Sequence, residues 1–382
     1  MKLYRYPALS SALCGIEFEY LLIDLRTGRL RDFRDLDFRQ LSAQLADKPG
    51  LDDPGLAVGD MGIRSGYWYL EGDERYHPDG SFRTLAVKGV EIRTPPENGV
   101  ENAIARLLEI EAQLAQRLER HGLGLAIAGL NPQHERYEFD PPLNAFETRL
   151  RAEDREYDGS EVSTLTYGPD INLSLPGWSL ASSLDAARKL NYYAPYLVPF
   201  SFSSPYYAGA PWHGWSRRTW LRCACRPAVK LYCEPEIHAA QAGQSVLTRS
   251  ARLPREVGRL EFKAFDAMPS VELLTACCHL LTGICLADDL RGRSEQPDLA
   301  LYRRAALAAF DDRGIRDGAR RLLDSAAAAL DRAGDDTAVM SLLPLAHLLA
   351  SRSTPAHALR ASGRMYHPGG LSSTLERPRA SA

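Results

Sequence analysis

The chain has 382 residues, of which 45% are hydrophobic and 25% charged, and its 46 Lys and Arg residues nearly balance its 49 Asp and Glu residues. These proportions are typical of a globular protein with a full core, and the length allows one large domain or two ordinary ones. The formal net charge of −3 lacks the basic excess of a dedicated nucleic-acid-binding protein, so we expect no nucleic-acid partner.

The hydrophobic pattern predicts both strands and helices. In chain order, it predicts strands at 15–23, 67–70, 87–93, 125–130, 171–175 and 260–265. It predicts helices at 35–46, 100–120, 180–196, 271–290, 298–311, 315–332 and 337–350. The rest of 48–79 is interpreted as loops. Because strands do not alternate strictly with helices, we predict an α+β fold with an antiparallel or mixed sheet and helices packed on one side.

The ends of the chain and its cysteines indicate a cytoplasmic protein. Residues 1–7 lack the apolar run of a secretory signal, and the most apolar stretch, 271–286, is shorter than the ~20 residues of a membrane span. We therefore expect no membrane partner. The seven cysteines are interpreted as core thiols in preference to metal or redox groups. We expect a single domain over 1–364, with its sheet core at 13–290 and a helical part at 297–352, and a mobile tail at 365–382.

Two glutamates lie at alternate positions of the first predicted strand. Because successive side chains of a strand point to opposite faces, Glu17 and Glu19 share one face. Adjacent carboxylates repel each other and lose hydration, so they need a counter-charge, which a divalent cation supplies well. For this pair alone, a solvent-facing strand with salt bridges to Arg is the simpler interpretation.

Later segments repeat this pattern of polar residues at alternate positions of apolar strands. The residues in these strands are Glu91, Asp170, Asn172, Glu261 and Lys263, and Asp79 lies just upstream of the strand that carries Glu91. Four strands thus offer oxygen ligands toward one face, and this favours a site for several metal ions over a solvated face. Three arginines in the polar stretch 244–257, Arg249, Arg252 and Arg255, are interpreted as surface charges, with phosphate contacts as the alternative.

Five short motifs follow one another in the chain. They are Gly-Ile-Glu-Phe-Glu-Tyr at 15–20, Val-Glu-Ile-Arg-Thr at 90–94, Ser-Phe-Ser-Ser-Pro-Tyr-Tyr-Ala-Gly at 201–209, Ser-Arg-Arg-Thr at 216–219 and Leu-Glu-Phe-Lys-Ala-Phe-Asp at 260–266. In this order they resemble the motifs of glutamate–cysteine ligase family 2, and more broadly of the carboxylate–amine ligases of the glutamine synthetase superfamily. The resemblance spans roughly residues 13 to 290, and the segment 201–209 is its most telling part.

The resemblance implies a single catalytic domain in which the antiparallel sheet forms a funnel around the active site, with helices on its outer face. The implied metal ligands are Glu17, Glu19, Asp79, Glu91, Asp170, Asn172 and Glu261. The implied catalytic cations, which stabilise a transferring phosphoryl group, are Lys263, Arg218 and Arg259. The implied cofactor-binding residues are Ser216 and Arg217.

Two positions depart from the family pattern. Asp170 stands where the family commonly has His, and a carboxylate is the harder ligand for Mg²⁺. Lys263 stands where the family usually has Arg, which exchanges a bidentate fork for a point charge. Both departures leave the chemistry in place and leave the substrate open.

The resemblance implies an ATP-dependent ligase that forms an amide bond, of the γ-glutamyl type, through an acyl phosphate. The implied cofactors are ATP and two or three Mg²⁺ ions, which Mn²⁺ can replace. The implied partners are small molecules, an amino-acid carboxylate and an amine such as cysteine, and a homo-oligomer is the family default. One alternative is the same chemistry on a peptide or an unusual amino acid in a specialised pathway. Another is an inactive metal- or nucleotide-binding relative that acts through partners.

Overall fold

The computed structural model describes residues 12–53, 65–153, 157, 159–175, 177–223, 226–241 and 245–374. The strands are β1 (Leu13–Asp24), β2 (Leu30–Arg31), β3 (Trp68–Tyr76), β4 (Phe82–Arg93), β5 (Glu97–Asn98), β6 (Leu123–Ile127), β7 (Pro169–Ser174), β8 (Tyr206–Tyr207), β9 (Ala210–Pro211), β10 (Val229–Cys233), β11 (Thr248–Ser250), β12 (Leu260–Phe262) and β13 (His367–Pro368).

The helices follow the same numbering along the chain. They are α1 (Phe38–Gln44), α2 (Val100–Glu119), α3 (Ala145–Glu153), α4 (Ser160–Ser163), α5 (Leu180–Leu197), α6 (Arg217–Arg222), α7 (Pro235–Gln241), α8 (Val271–Leu286), α9 (Leu299–Ala308), α10 (Arg313–Arg332), α11 (Asp336–Ser341), α12 (Leu343–Ser351) and α13 (Pro355–Ser362).

One large sheet organises the molecule. Its main path runs β11-β10-β12-β7-β1-β4-β3, and β2, β5 and β6 also pair with β1. The pair β10–β11 is parallel, and the other neighbouring pairs along this path are antiparallel. The mixed sheet of the predicted α+β fold is therefore confirmed.

The central strand β1 separates an apolar face of the sheet from a polar one. Ile16, Phe18 and Tyr20 are fully buried, whereas the intervening Glu17 and Glu19 point to the opposite face. The neighbouring strand β7 repeats this alternation near its start. Near the centre of the sheet, the strands next to β1 direct their apolar side chains to the same side as β1 does. One face of the sheet is therefore a continuous apolar surface.

A helical layer covers this apolar face, as predicted. Helix α2 packs against β1, β4 and β6, and α5 packs against β10 and β12. Helix α8 lies between these two helices and the C-terminal helices α10 to α12, which explains its almost uniformly buried apolar sequence. None of the helices in the described part of the chain combines the length and the apolar character needed to cross a bilayer. The described cysteines, among them Cys14 and Cys277, are buried thiols.

Strand β3 corrects the prediction that residues 48–79 are mostly loops. The predicted strand 67–70 continues to Tyr76, although the added residues are largely charged. The carboxylate of Asp73 lies 2.6 Å from the guanidinium of Arg151, and Arg75 lies 2.9 Å from Glu147. These partners belong to α3, so tertiary ion pairs compensate charges that look unfavourable in a strand.

The C-terminal segment also differs from its prediction. Residues 365–374, predicted as part of a mobile tail, pack against the protein: Pro368 pairs with Ala126 of β6, and the backbone N–H groups of Leu371 and Ser372 donate to the Glu111 carboxylate at 2.7 and 2.8 Å. The predictions for residues 1–7, for the remainder of the tail at 375–382 and for Cys225 lie outside the described residues.

Candidate active site

The strand register brings acidic residues from distant parts of the chain together. On the polar face, Glu17 of β1 lies opposite Asp170 of β7, and Glu19 lies opposite Glu91 of β4. Two residues further along β7 from Asp170, on the same face, Asn172 lies opposite Glu261 of β12. Directly opposed side chains in antiparallel strands lie about 5 Å apart, so these residues form one continuous patch.

Two groups of three carboxylates within this patch have the geometry of a cation site. One group consists of Glu17, Glu91 and Asp170, the other of Glu19, Glu71 and Glu91, and in each group one oxygen of every carboxylate lies within 4.8 Å of the others. Glu91 belongs to both groups. Glu71 was not predicted because its segment was interpreted as loop, although its two-residue spacing from Tyr69 was the available signal.

The electrostatics of the patch favour a divalent cation. Burial raises the pKa of Glu91 well above its ordinary value, and the nearby carboxylates, of which Glu71 has the largest effect, raise it further. Burial also raises the pKa of Asp170 to about 7, although the ammonium of Lys263 opposes that increase. A cation between these oxygens would remove the repulsion that both carboxylates experience.

Cationic side chains occupy the adjoining half of the polar face. The ammonium of Lys263 contacts Asp170 and lies 3.6 Å from Glu261. The guanidinium of Arg259 donates to the side-chain oxygen of Asn172 at 2.6 Å and lies 3.8 Å from the ring centre of Tyr232. Asn172 in turn donates to Glu17 at 3.3 Å, so a hydrogen-bonded chain joins the acidic and the cationic halves.

An open cleft of about 380 Å³ lies over this boundary, within the size range of small-ligand sites. Glu17 and Asn172 line its acidic side. Its cationic side is lined by Lys230, Arg249, Arg252, Arg255, Arg259 and Lys263. The three arginines of the 244–257 stretch line the cleft, and Arg252 and Arg255 are exposed, as expected of surface charges; the alternative of phosphate contacts stays a prediction. The hydrophobic pattern predicts neither β10 nor β11, and β11 is the strand that lies within this stretch.

Asp79 lies far from the acidic patch, which corrects its predicted role as a metal ligand. It is exposed in the turn between β3 and β4 and accepts hydrogen bonds from Ser81. The pair Tyr69–Glu91 lies near the other end of these strands, seven residues along β3 from Tyr76, or roughly 23 Å at about 3.3 Å per residue. Asp79 is close to β4 in sequence, but this closeness did not indicate how far Asp79 lies from Glu91.

Ser216 is a structural residue, which corrects its prediction as a cofactor ligand. Its side chain is completely buried and donates to the carboxylate of Asp266 at 3.0 Å, while it accepts the backbone N–H of Thr219 at the start of α6. The backbone N–H of Ser203 and the hydroxyl of Ser204 donate to the same carboxylate, at 3.0 and 2.7 Å. The serine-rich motifs thus converge on one buried aspartate.

The two arginines after Ser216 lie outside the cleft lining. The guanidinium of Arg217 lies over the ring of Tyr207, 4.4 Å from its centre. Arg218 is buried and donates to the backbone carbonyls of Lys263 and Ala264, at 3.2 and 2.8 Å. Arg218 therefore supports the backbone that carries Lys263, while the catalytic role of Arg218 and the cofactor contact of Arg217 stay predictions.

Glu261 lies on the polar face but outside both carboxylate groups. Its carboxylate accepts a hydrogen bond from the hydroxyl of Tyr232 at 3.2 Å and lies 3.7 Å from Arg259. Its role as a metal ligand therefore stays a prediction, as does that of Asn172. A second lysine, Lys88, was missed by the sequence analysis and lies 2.6 Å from Glu19.

Comparisons with known proteins bear on the family and the fold of this chain. The family model described as glutamate-cysteine ligase family 2 matches residues 13–224, more than half of the chain. A glutamate–cysteine ligase of Natronomonas pharaonis is 29% identical over 120 residues, which cover 31% of this chain and 32% of that relative. The matched stretch therefore spans about a third of the length of the curated relative.

Two solved structures share the fold. A bifunctional glutathione synthetase from Pasteurella multocida has a TM-score of 0.53 and 13% identity, over 94% of this chain and 51% of that one. A glutamate–cysteine ligase from Francisella tularensis in complex with AMP has a TM-score of 0.53 and 12% identity, over 96% of this chain and 86% of that one. At these identities the similarity establishes the fold alone.

Proposed function

The chain belongs to glutamate-cysteine ligase family 2, and on that premise we propose that it is an ATP-dependent carboxylate–amine ligase. The observation that carries the proposal is the adjacency of two carboxylate groups, which share Glu91, and a cleft with a cationic wall. Joining a carboxylate to an amine through ATP needs both features, because the triphosphate and the substrate carboxylate are anions and the phosphoryl group must be held in line.

The carboxylate groups fit Mg²⁺, because their donors are oxygens and the ion prefers hard oxygen ligands. Glu17, Glu91 and Asp170 would hold one ion, and Glu19 and Glu71 would share Glu91 to hold a second. Bound Mg²⁺ would neutralise charge on the triphosphate and polarise the transferring phosphoryl group. We infer that the sheet surrounds this site as a funnel.

The cationic wall would orient the anionic reactants. Lys263 and Arg259 lie beside the carboxylates, where they can stabilise negative charge on the transferring phosphoryl group. Stacking on Tyr232 and the hydrogen bond to Asn172 fix the Arg259 guanidinium before substrate arrives. Such preorganisation lowers the cost of ordering the group during the reaction.

In the proposed reaction a substrate carboxylate oxygen attacks the γ-phosphorus of ATP, and ADP leaves with the bridging oxygen. The acyl phosphate is then attacked by an uncharged amine, an amide forms, and inorganic phosphate leaves while the nitrogen loses a proton. This sequence converts a poor electrophile into a reactive one and needs no covalent bond to the protein. Glutamate and cysteine are the proposed substrates, because the family description names them.

The test is an ADP-release screen of the purified chain with Mg²⁺, ATP and paired amino acids and amines, with mass spectrometry of the products. ADP release that requires both an acid and an amine, with a coupled product, supports the ligase. We expect Glu91→Gln to lower kcat at least 100-fold, because both carboxylate groups lose a ligand.

Asp79→Asn is the matched control, because it removes an exposed carboxylate in the turn beyond Tyr76, which lies roughly 17 Å along β3 from Glu71. It should keep wild-type turnover. Full activity in Glu91→Gln, or ATP hydrolysis indifferent to every amine tested, would contradict the proposal and favour a binding protein without ligase activity.

A further inference from the structure

Strand β4 contains a bulge at Lys88. Glu71 of β3 lies opposite Gly89, but the next residue of β3, Gly72, lies opposite Val87, so Lys88 is an extra residue in the ladder. A bulge bends the strand and redirects one side chain, and bulges are common beside active sites.

The bulge decides which way Lys88 points. An unbroken two-residue period would place Lys88 on the apolar face with Val90 and Ile92, which are fully buried. The ammonium instead reaches Glu19 on the polar face. This position could not be deduced from the strand pattern, because the pattern contains no sign of the phase change.

All three donors of the Lys88 ammonium are used. They bind Glu19 Oε1 at 2.6 Å and the backbone carbonyls of Ser163 and Thr166 at 3.0 and 2.8 Å. The other oxygen of Glu19 accepts the N–H of Gly168 at 2.9 Å. The Glu19 carboxylate is therefore held from two sides, with its remaining lone pairs available toward Glu71 and Glu91.

Lys88 also adjusts the charge of this carboxylate group. Its side chain is only 3% exposed, so its positive charge is screened little by solvent. Glu19, Glu71 and Glu91 together carry three negative charges when ionised, and the adjacent Lys88 compensates one of them. Groups that orient a metal ligand in this way typically change metal affinity 10- to 100-fold.

We propose that Lys88, carried on the β4 bulge, is a positioning residue that fixes Glu19 for binding a divalent cation. The inference rests on the proposed function, because it assumes that the carboxylate groups hold cations. Lys88 acts through Glu19 and does not touch the reacting atoms.

The experiment measures Mn²⁺ binding to the purified full chain by electron paramagnetic resonance of the free ion, without substrates. Lys88→Met should weaken Mn²⁺ binding 10- to 100-fold at one site. Glu19→Gln should weaken it as well, and the double variant should be no weaker than Glu19→Gln alone, because Lys88 then has no carboxylate to position. Lys88→Gln replaces Lys88→Met if circular dichroism shows that the latter is unfolded.

Lys189→Met is the matched control. Lys189 is an equally buried lysine that donates to the carbonyls of Ile284, Cys285 and Ala287 at the end of α8. Its loss should lower stability and leave Mn²⁺ affinity within twofold of wild type. This control separates a general loss of stability from an effect on the cation site.

Three results would overturn the inference. Unchanged Mn²⁺ affinity in the Lys88 variant would show that fixation of Glu19 has no effect. Tighter binding would show that the lysine acts only as a repelling charge. If Lys88→Met weakened Mn²⁺ binding equally in the wild-type and the Glu19→Gln backgrounds, Lys88 would act elsewhere than on Glu19. A wild-type chain that binds no Mn²⁺ would instead refute the proposed function.

Discussion

The buried ion pair between Arg75 and Glu147 provides a quantitative test of how the edge strand β3 is held. Glu147 accepts hydrogen bonds from Arg75 Nε and from the backbone N–H groups of Tyr76 and Asn144, each at 2.9 Å. Burial alone would raise the pKa of Glu147, but these hydrogen bonds outweigh it and lower the pKa from 4.5 to about 2. The pair therefore anchors the strand that carries Glu71 to helix α3.

The expected size of the effect follows from this pKa. At 1.36 kcal/mol per pKa unit, the difference between 4.5 and 2 corresponds to about 3 kcal/mol of stability at neutral pH. Only 2% of the Glu147 side chain is exposed, so little of this is lost to solvent screening. Because the folded-state pKa is depressed, the contribution is complete above pH 4.5 and is lost as the pH falls toward 2.

The assay is urea unfolding of wild type and Glu147→Gln from pH 7 to pH 2.5. Glu147→Gln should be about 3 kcal/mol less stable at pH 7, and the difference should shrink below pH 4.5, because other titrating groups cancel between the two proteins. Glu138→Gln, in an exposed pair with Arg136, is the control and should cost less than about 1 kcal/mol. A Glu147→Gln difference that stays constant from pH 7 to pH 2.5 would refute the reasoning.

Two further predictions concern residues beside the site. Ser216→Ala should lower the free energy of unfolding by about 1–3 kcal/mol, because Asp266 loses a buried donor, and leave the Kd for ATP within twofold in a binding titration. A tenfold loss of ATP affinity at unchanged stability would restore its predicted role as a cofactor ligand. Gly89→Ala should cost about 2–4 kcal/mol in thermal unfolding, because its Cβ would lie 2.1 Å from the carbonyl oxygen of Tyr20. Gly15→Ala is its control, with the nearest atom at an ordinary 3.6 Å, and an equal loss of stability in both variants would contradict the steric argument.

The sequence alone determined the central strands and the side of each strand that carries the acids. Glu17, Glu19 and Glu91 could be assigned because a two-residue period is a local property of one strand, visible without knowing its neighbours. The long helices α2 and α10 could be predicted for the same reason, because an apolar stripe with a period of 3.6 residues is visible within one local segment of the sequence.

The tertiary structure decided which of these residues meet. The length of the β3–β4 hairpin separated Asp79 from Glu91, and ion pairs with α3 stabilised a charged segment as a strand. Local pattern likewise gave no sign of the bulge that turns Lys88 toward Glu19. These outcomes depend on contacts between different segments of the chain, and the free energy of such contacts is set by their mutual packing and charge, which no single segment contains.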